Sequence, residues 1–169
     1  MGQYYVVANL DKKEILHPHA FGDGLKLLEF GCSSGSTMTG LAVLLATSNG
    51  RGGGDLTPSE GKHEYLPGTG KFTSDKKYLA EQKKIQKVAG RWAGDRIAVV
   101  GDYSDKENPR EFAEAYKGEE SGYTDISALV IEALRCDSYL NKQFAENPFY
   151  ERMKVARASK KAEKKEVST

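Results

Sequence analysis

The sequence predicts an α+β domain, a small mixed sheet packed with helices, and three observations carry that expectation. Tyr4 to Leu10 and Ile15-Leu16 are runs of strand-forming residues separated by the charged break Asp11-Lys12-Lys13-Glu14, which is the pattern of an N-terminal β-hairpin. Ile97 to Val100 is short, apolar and partly β-branched, with Gly94-Asp95 before it and Gly101-Asp102 after it, so it predicts a turn-bounded central strand near 97–100. Thr37 to Thr47 is apolar on nearly every side through Met38, Leu41, Ala42, Val43, Leu44 and Leu45, which predicts a buried helix near 37–48.

The remaining elements come in chain order. His17-Pro18-His19 ends the second strand, because Pro18 has no N–H to donate and disfavours helix at His17. Phe21-Gly22-Asp23-Gly24 is a turn in which Asp23 is placed to cap the next element, and Leu25, Leu27, Leu28 and Phe30 predict a two-turn helix. Ser36 is the expected N-cap of the buried helix, with Asn49-Gly50 as its stop. From Leu56 to Lys77 the chain is polar and carries Pro58, Gly61, Pro67, Gly68 and Gly70, which reads as a long loop at 56–77. Lys76 to Val88 predicts a helix with a basic outer face. Arg110 to Tyr116 predicts a short one, a better one runs from a cap at Thr124 or Asp125 through Leu134, and the last spans Tyr139 to Phe149. Residues 1–150 are expected to form one globular domain, with 151–169 a basic tail, frayed or disordered.

Composition narrows the function classes. The chain of 169 residues has 25 Lys and Arg against 24 Asp and Glu, so no global field steers it to nucleic acid or membrane. The asymmetry is local, with seven basic against three acidic residues in 151–169. Two cysteines, Cys32 and Cys136, form neither a zinc cluster nor a disulfide framework, which favours a reducing compartment. No apolar run approaches the roughly 18–20 residues that span a bilayer, and the N-terminus lacks a basic segment followed by an apolar one. Val6 stands where a myristoylation signal needs Ser or Thr. The expectation is a cytoplasmic protein without membrane contact.

Four constellations could carry chemistry. Gly50-Arg51-Gly52-Gly53-Gly54-Asp55 exposes backbone N–H groups, and Arg51 adds a charge suited to phosphate or carboxylate; Arg51, Gly52, Gly53, Gly54 and Asp55 are therefore candidate ligand contacts. The segment is neither a P-loop nor a GxGxxG element, and a flexible hinge is the competing reading. Arg91, Trp92, Asp95, Arg96 and Asp102 flank the 97–100 strand, where Trp and Arg suit stacking and planar anions, against the alternatives of a core anchor and turn-fixing pairs. His17 and His19, two apart on a strand, would face one way, so that with Asp23 they form a possible metal set; a hydrogen-bonded structural pair is the alternative. Asp95, Asp102 and Asp105 could hold a hard cation or simply occupy solvated turns. No GxSxG or HExxH motif is present.

The strings Met1-Gly2-Gln3-Tyr4, Asn9-Leu10-Asp11-Lys12-Lys13-Glu14, His17-Pro18-His19, Phe21 to Gly31, Asn49 to Asp55 and Trp92-Ala93-Gly94-Asp95-Arg96-Ile97 resemble a group of bacterial and phage-associated hypothetical proteins. The resemblance covers about residues 1–55 and 90–105 and implies no activity, cofactor or binding residue. The expectation for function is a small binding or interaction module that holds an anionic ligand, a nucleotide or nucleic acid, on its Gly/Arg segments, helped by the basic tail. The alternatives are a metal-assisted phosphoester hydrolase built on the His and Asp residues, and a purely structural or partner-binding protein whose Gly-Asp pairs are turns.

Overall fold

The computed structural model describes residues 3–32, 36–48, 56–104 and 110–146 and is α+β. The chain runs β1 (Tyr5–Asn9), β2 (Glu14–Leu16), a 3-10 turn (Pro18–Phe21), α1 (Leu27–Gly31), α2 (Thr37–Leu45), β3 (His63–Leu66), β4 (Lys71–Ser74) and α3 (Lys76–Gln86). It continues through β5 (Ile97–Gly101), α4 (Arg110–Lys117), a second 3-10 turn (Gly118–Ser121), β6 (Thr124–Asp125), α5 (Ser127–Leu134) and α6 (Ser138–Glu146). None of these helices is long and apolar enough to cross a membrane.

The main sheet has the order β5-β1-β2-β6. β1 pairs antiparallel with β2, Val7 opposite Leu16 and Asn9 opposite Glu14, and antiparallel with β5, Tyr5 opposite Gly101 and Asn9 opposite Ile97. β6 adds a short parallel edge beside Glu14 and Ile15. Because β1 has a strand on each side and protein on each face, Val6 to Asn9 are all buried, and the segment reads as a continuous apolar run instead of an alternation. One face, through Val7 and Leu16, joins Phe21, Phe30, Leu44, Trp92, Val130 and Leu134 in the larger core. The other, through Val6, Ala8, Ile15 and Val100, packs against Ala115 and Tyr123, with Phe112 and Tyr116 of α4 beside them.

The 90–92 segment joins the sheet to α2. Gly90 N donates to Val43 O at 3.0 Å, a carbonyl that also accepts from Ala46 N, and Trp92 N donates to Leu44 O at 2.8 Å, which the end of α2 would otherwise leave open. α2 approaches its neighbours closely at Gly40, where an added Cβ would lie 3.0 Å from both Phe21 Cε1 and Val130 Cγ1.

Four expectations change. The 97–100 strand forms as β5, but it lies at the margin of the sheet, while β1, paired with both β5 and β2, is inside. The helix near 37–48 ends at Leu45 and buries only Thr37, Gly40, Leu41 and Leu44; Met38 and Leu45 face outward at 38% and 39% exposure. Asp23 does not cap the helix that comes after it. Its carboxylate reaches across to α2, accepting from Thr37 N at 2.8 Å and Thr37 Oγ1 at 2.7 Å. The 56–77 segment is not only loop: β3 and β4 form a two-stranded antiparallel ribbon with Tyr65 opposite Phe72, joined by Pro67-Gly68-Thr69-Gly70. The Asn49-Gly50 stop, Asp105, the end of the last expected helix at 147–149 and the 151–169 tail lie outside the described residues.

Candidate functional site

The β1–β2 turn gathers three of the charged residues that the sequence singles out, Arg91, Asp95 and Arg96. Asn9 is fully buried, and its Oδ1 accepts from Asp11 N at 3.0 Å and Lys12 N at 2.8 Å, which shapes the turn. Its Nδ2 donates to Asp95 at 2.7 Å, and Lys12 Nζ pairs with the same carboxylate oxygen. Opposite Asn9, Glu14 carries the central carboxylate. Arg91 Nε donates to both Glu14 oxygens at 3.1 and 2.9 Å, Arg91 Nη2 closes the fork on Oε1, and Trp92 Nε1 donates to Oε2 at 2.7 Å. Arg96 binds Asp11 through its backbone N and its Nε, both at 2.8 Å, and reaches Glu111 of α4 at 3.4 Å.

Charge in this cluster is closed on itself. Lys12, Arg91 and Arg96 face Asp11, Glu14, Asp95 and Glu111, so every cation already has a carboxylate and none is in excess. Burial alone would push the Glu14 carboxyl up, but the bonds from Arg91 and Trp92 and the guanidinium charge together hold it below its ordinary value. Lys12 and Asn9 hold Asp95 below the usual range, and hydrogen bonds from Arg96 do the same for Asp11. Trp92 is fully buried and Arg91 is forked onto a buried acid, while the Arg96 side chain, paired with Asp11 and Glu111, stays 61% exposed. The cluster acts as a clamp between β1, β2 and β5.

The other predicted residues lie apart from it. Arg51, Gly52, Gly53, Gly54 and Asp55 are outside the described residues; Ser48 and Leu56, on either side of them, line an open cavity of about 600 Å³ with Val43, Ala89, Tyr139 and Leu140. Asp102 accepts from Tyr4 N at 3.1 Å, at the opposite end of β5 from Asp95 and Arg96. His17 and His19 have ring centroids 5.6 Å apart, and His19 Nδ1 lies 2.9 Å from the Asp23 carbonyl oxygen, while the Asp23 carboxylate serves Thr37. His17 also lines a cavity of about 410 Å³ with Tyr5, Tyr116, Lys117, Glu119 and Asp125. Among the described residues no three His, Cys, Asp or Glu side chains are placed to share a metal ion.

The surface that sequence reasoning missed is the β3–β4 ribbon. Alternation along its strands sets His63, Tyr65, Phe72 and Ser74 on one face and Glu64, Leu66, Lys71 and Thr73 on the other. The His63 ring stacks between Phe72 and Tyr78 of α3, with centroids 4.8 Å apart on each side and planes within 6° and 11° of parallel. Tyr65 meets Phe72 edge-on at 5.3 Å. A row of four rings results, in the order Tyr78, His63, Phe72 and Tyr65, in which Tyr65 is 53% and Phe72 60% exposed. Both residues flank the Pro-Gly-Thr-Gly turn, the local signal by which a hairpin could have been read.

The base of the ribbon is fixed. Asp75 caps α3 by accepting from Tyr78 N at 2.9 Å and accepts from Lys62 N at 3.0 Å; its own N donates to Lys62 O. These bonds, the one from Tyr78 foremost, hold the Asp75 carboxyl below its ordinary value. Gly61 is required beside them: its φ is +89°, and a Cβ there would fall 2.4 Å from Asp75 Oδ1 and from Tyr78 N. The segment that carries the rings is rich in lysine. Residues 60–88 carry seven Lys against four acidic residues. Lys84 pairs with Glu132 and Lys62 lies 4.0 Å from Glu64, whereas Lys71, Lys76, Lys77, Lys83 and Lys87 have no carboxylate within ion-pair distance among the described residues. Lys76 and Lys77 even occupy the first turn of α3, where the helix dipole disfavours cations.

Comparison of the chain with protein-family models, curated proteins and solved structures gives no match. The site's chemistry therefore has to be argued from its own side chains.

Proposed function

We propose that the chain is a small binding module for an anionic, phosphate-bearing ligand of the nucleotide or nucleic-acid class, and that its contact surface is the β3–β4 ribbon with the first turn of α3. The supporting observation is the exposed ring row in a segment whose Lys71, Lys76 and Lys77 have no carboxylate within ion-pair distance among the described residues. The Arg91, Trp92, Asp95 and Arg96 cluster then has a structural role, since its cations are matched by carboxylates within the fold. The basic residues of 151–169 would add to the attraction without contributing geometry. The same reading places the protein in the cytoplasm, where Cys32 and Cys136 remain thiols.

Titration with long-chain inorganic polyphosphate tests this. Binding should weaken steeply with salt, as it does when Lys side chains displace counterions from a polyanion. Lys71→Glu combined with Lys76→Glu and Lys77→Glu should weaken it by more than about tenfold, given roughly 1.4 kcal/mol per factor of ten. Arg96→Gln should leave it unchanged. Binding that survives the triple substitution but is lost with Arg96→Gln would return the site to the β1–β2 turn and overturn the proposal.

A further inference from the structure

We infer that the ligand is single-stranded nucleic acid and that its bases extend the ring row of the β3–β4 ribbon, an inference that rests on the anion-binding reading above. Lysines alone would suit any polyanion. The rings narrow the choice, because Tyr78, His63 and Phe72 form a near-parallel stack whose open end, Phe72, and its edge-on neighbour Tyr65 offer aromatic surface to solvent. An exposed aromatic surface in a lysine-rich segment matches a chain that alternates planar rings with phosphates. Duplex nucleic acid fits less well, because its base faces are covered by their neighbours; unstacked bases have free faces.

The ribbon is suited to the task mechanically. Its residues from Glu60 to Phe72 and Thr73 are exposed along the whole length, so a strand laid over the rings displaces no packed side chain. The ring row is nonetheless held in place at its base by the Asp75 bonds to Tyr78 and Lys62 and by His63 Nδ1, 2.7 Å from Ser74 Oγ. Lys76 and Lys77 precede Tyr78 at one end of the row, and Lys71 adjoins Phe72 in the chain from the opposite face of the ribbon. Sequence preference should be weak, since stacking uses the face that every base has.

The full chain is titrated, by fluorescence anisotropy at fixed salt, with three labelled 20-nucleotide probes: oligo-dT, an abasic strand of equal length, and a mixed-sequence duplex. The expected order is oligo-dT tighter than the abasic strand by about tenfold or more, in line with the stacking contribution of one or two bases. The duplex should bind more weakly than oligo-dT. Phe72→Ala with Tyr65→Ala should bring oligo-dT down to the abasic affinity without changing the abasic one, with an unchanged thermal melt showing that the fold is intact. Phe72→Leu with Tyr65→Leu keeps apolar bulk and removes the aromatic faces, and it should behave as the Ala pair does.

Equal affinity for oligo-dT and the abasic strand overturns the stacking inference while leaving the anion-binding reading in place. Full oligo-dT affinity in the Leu pair, or a duplex that binds as well as oligo-dT, overturns it too. Concentration-dependent self-association of the parent chain that the Ala pair abolishes, with no preference for oligo-dT, would reassign the rings to a contact between copies. Failure of all three probes and of polyphosphate removes both proposals.

Discussion

Replacing Glu14 with Ala strips the β1–β2 turn of the carboxylate that Arg91 and Trp92 share. The largest part of the cost comes from Trp92, whose ring is fully buried: without Glu14 Oε2 its indole N–H has no solvent to turn to, and an unsatisfied buried donor costs about 1–3 kcal/mol. Arg91 contributes less, because its side chain is 35% exposed and can recover hydration; about 0.5 kcal/mol is appropriate for a partly screened pair. Loss of the buried stem adds about 1 kcal/mol at roughly 0.8 per methylene. The sum, about 2.5–4.5 kcal/mol, should lower the melting temperature by about 5–18 °C in a domain of this size. Glu14→Gln keeps an acceptor for the indole and should cost about 1 kcal/mol, in line with a charge-assisted bond made neutral. Urea denaturation of both variants at pH 7 measures the difference. A second reading comes from pH. The native Glu14 carboxyl lies below its ordinary value of 4.5, so its contribution is fully present above that value and is lost as pH falls through the lower native one. The stability gap between the parent and Glu14→Gln should therefore narrow on acidification below pH 4.5. Glu14→Ala within about 0.5 kcal/mol of the parent, the ordinary range for an uninvolved surface position, would refute the clamp.

Three further perturbations test separate parts of the fold. Asp23→Ala removes the acceptor for Thr37 N and Oγ1 at the start of α2 and should cost about 1–2 kcal/mol in urea denaturation, the range for losing an N-cap; a neutral result would mean that Ser36 alone caps the helix. Gly40→Ala puts a methyl 3.0 Å from Phe21 and Val130, so it should destabilise by about 1 kcal/mol or more despite the better helix propensity of Ala, and a rise in melting temperature would show that this packing yields easily. Burial pushes the Cys136 thiol up to about 11, while Cys32 is exposed, so a thiol reagent at pH 8 should label one cysteine quickly in the native protein and both only after unfolding; two fast equivalents would contradict the burial of Cys136.

The elements were legible wherever a local pattern settled them. Tyr4 to Leu10 with Ile15-Leu16, Ser36 before a helix, and Ile97 to Val100 between Gly-Asp pairs each carry their own punctuation, and each appears where the pattern put it. Placement within the sheet was not legible. Residues 97–100 are more apolar than their surroundings, yet they sit at the margin, and the reason lies in which strand pairs on both sides, a property of topology and not of composition. The ribbon was missed for the opposite reason. His63 to Ser74 has the turn residues of a hairpin but packs no face into the core, so it lacks the apolar-to-polar contrast that marks a half-buried strand.

The candidate site divides in the same way. By itself the sequence determined which residues carry charge and rings: Arg91, Trp92, Asp95 and Arg96 stand out as a dense group near one strand. Only the tertiary structure decided their partners, because Glu14, Asn9 and Asp11 reach them across 77 to 86 positions of sequence and close the charges on one another. Tyr65, Phe72 and Tyr78 look ordinary as letters in a polar stretch. Cross-strand pairing and the Asp75 cap bring them around His63, and the absence of a core beneath the ribbon leaves their outer faces in water. Charge and propensity are local properties and are written in the chain. Satisfaction and exposure depend on what the rest of the chain brings near, and those decided which groups remain available to a ligand.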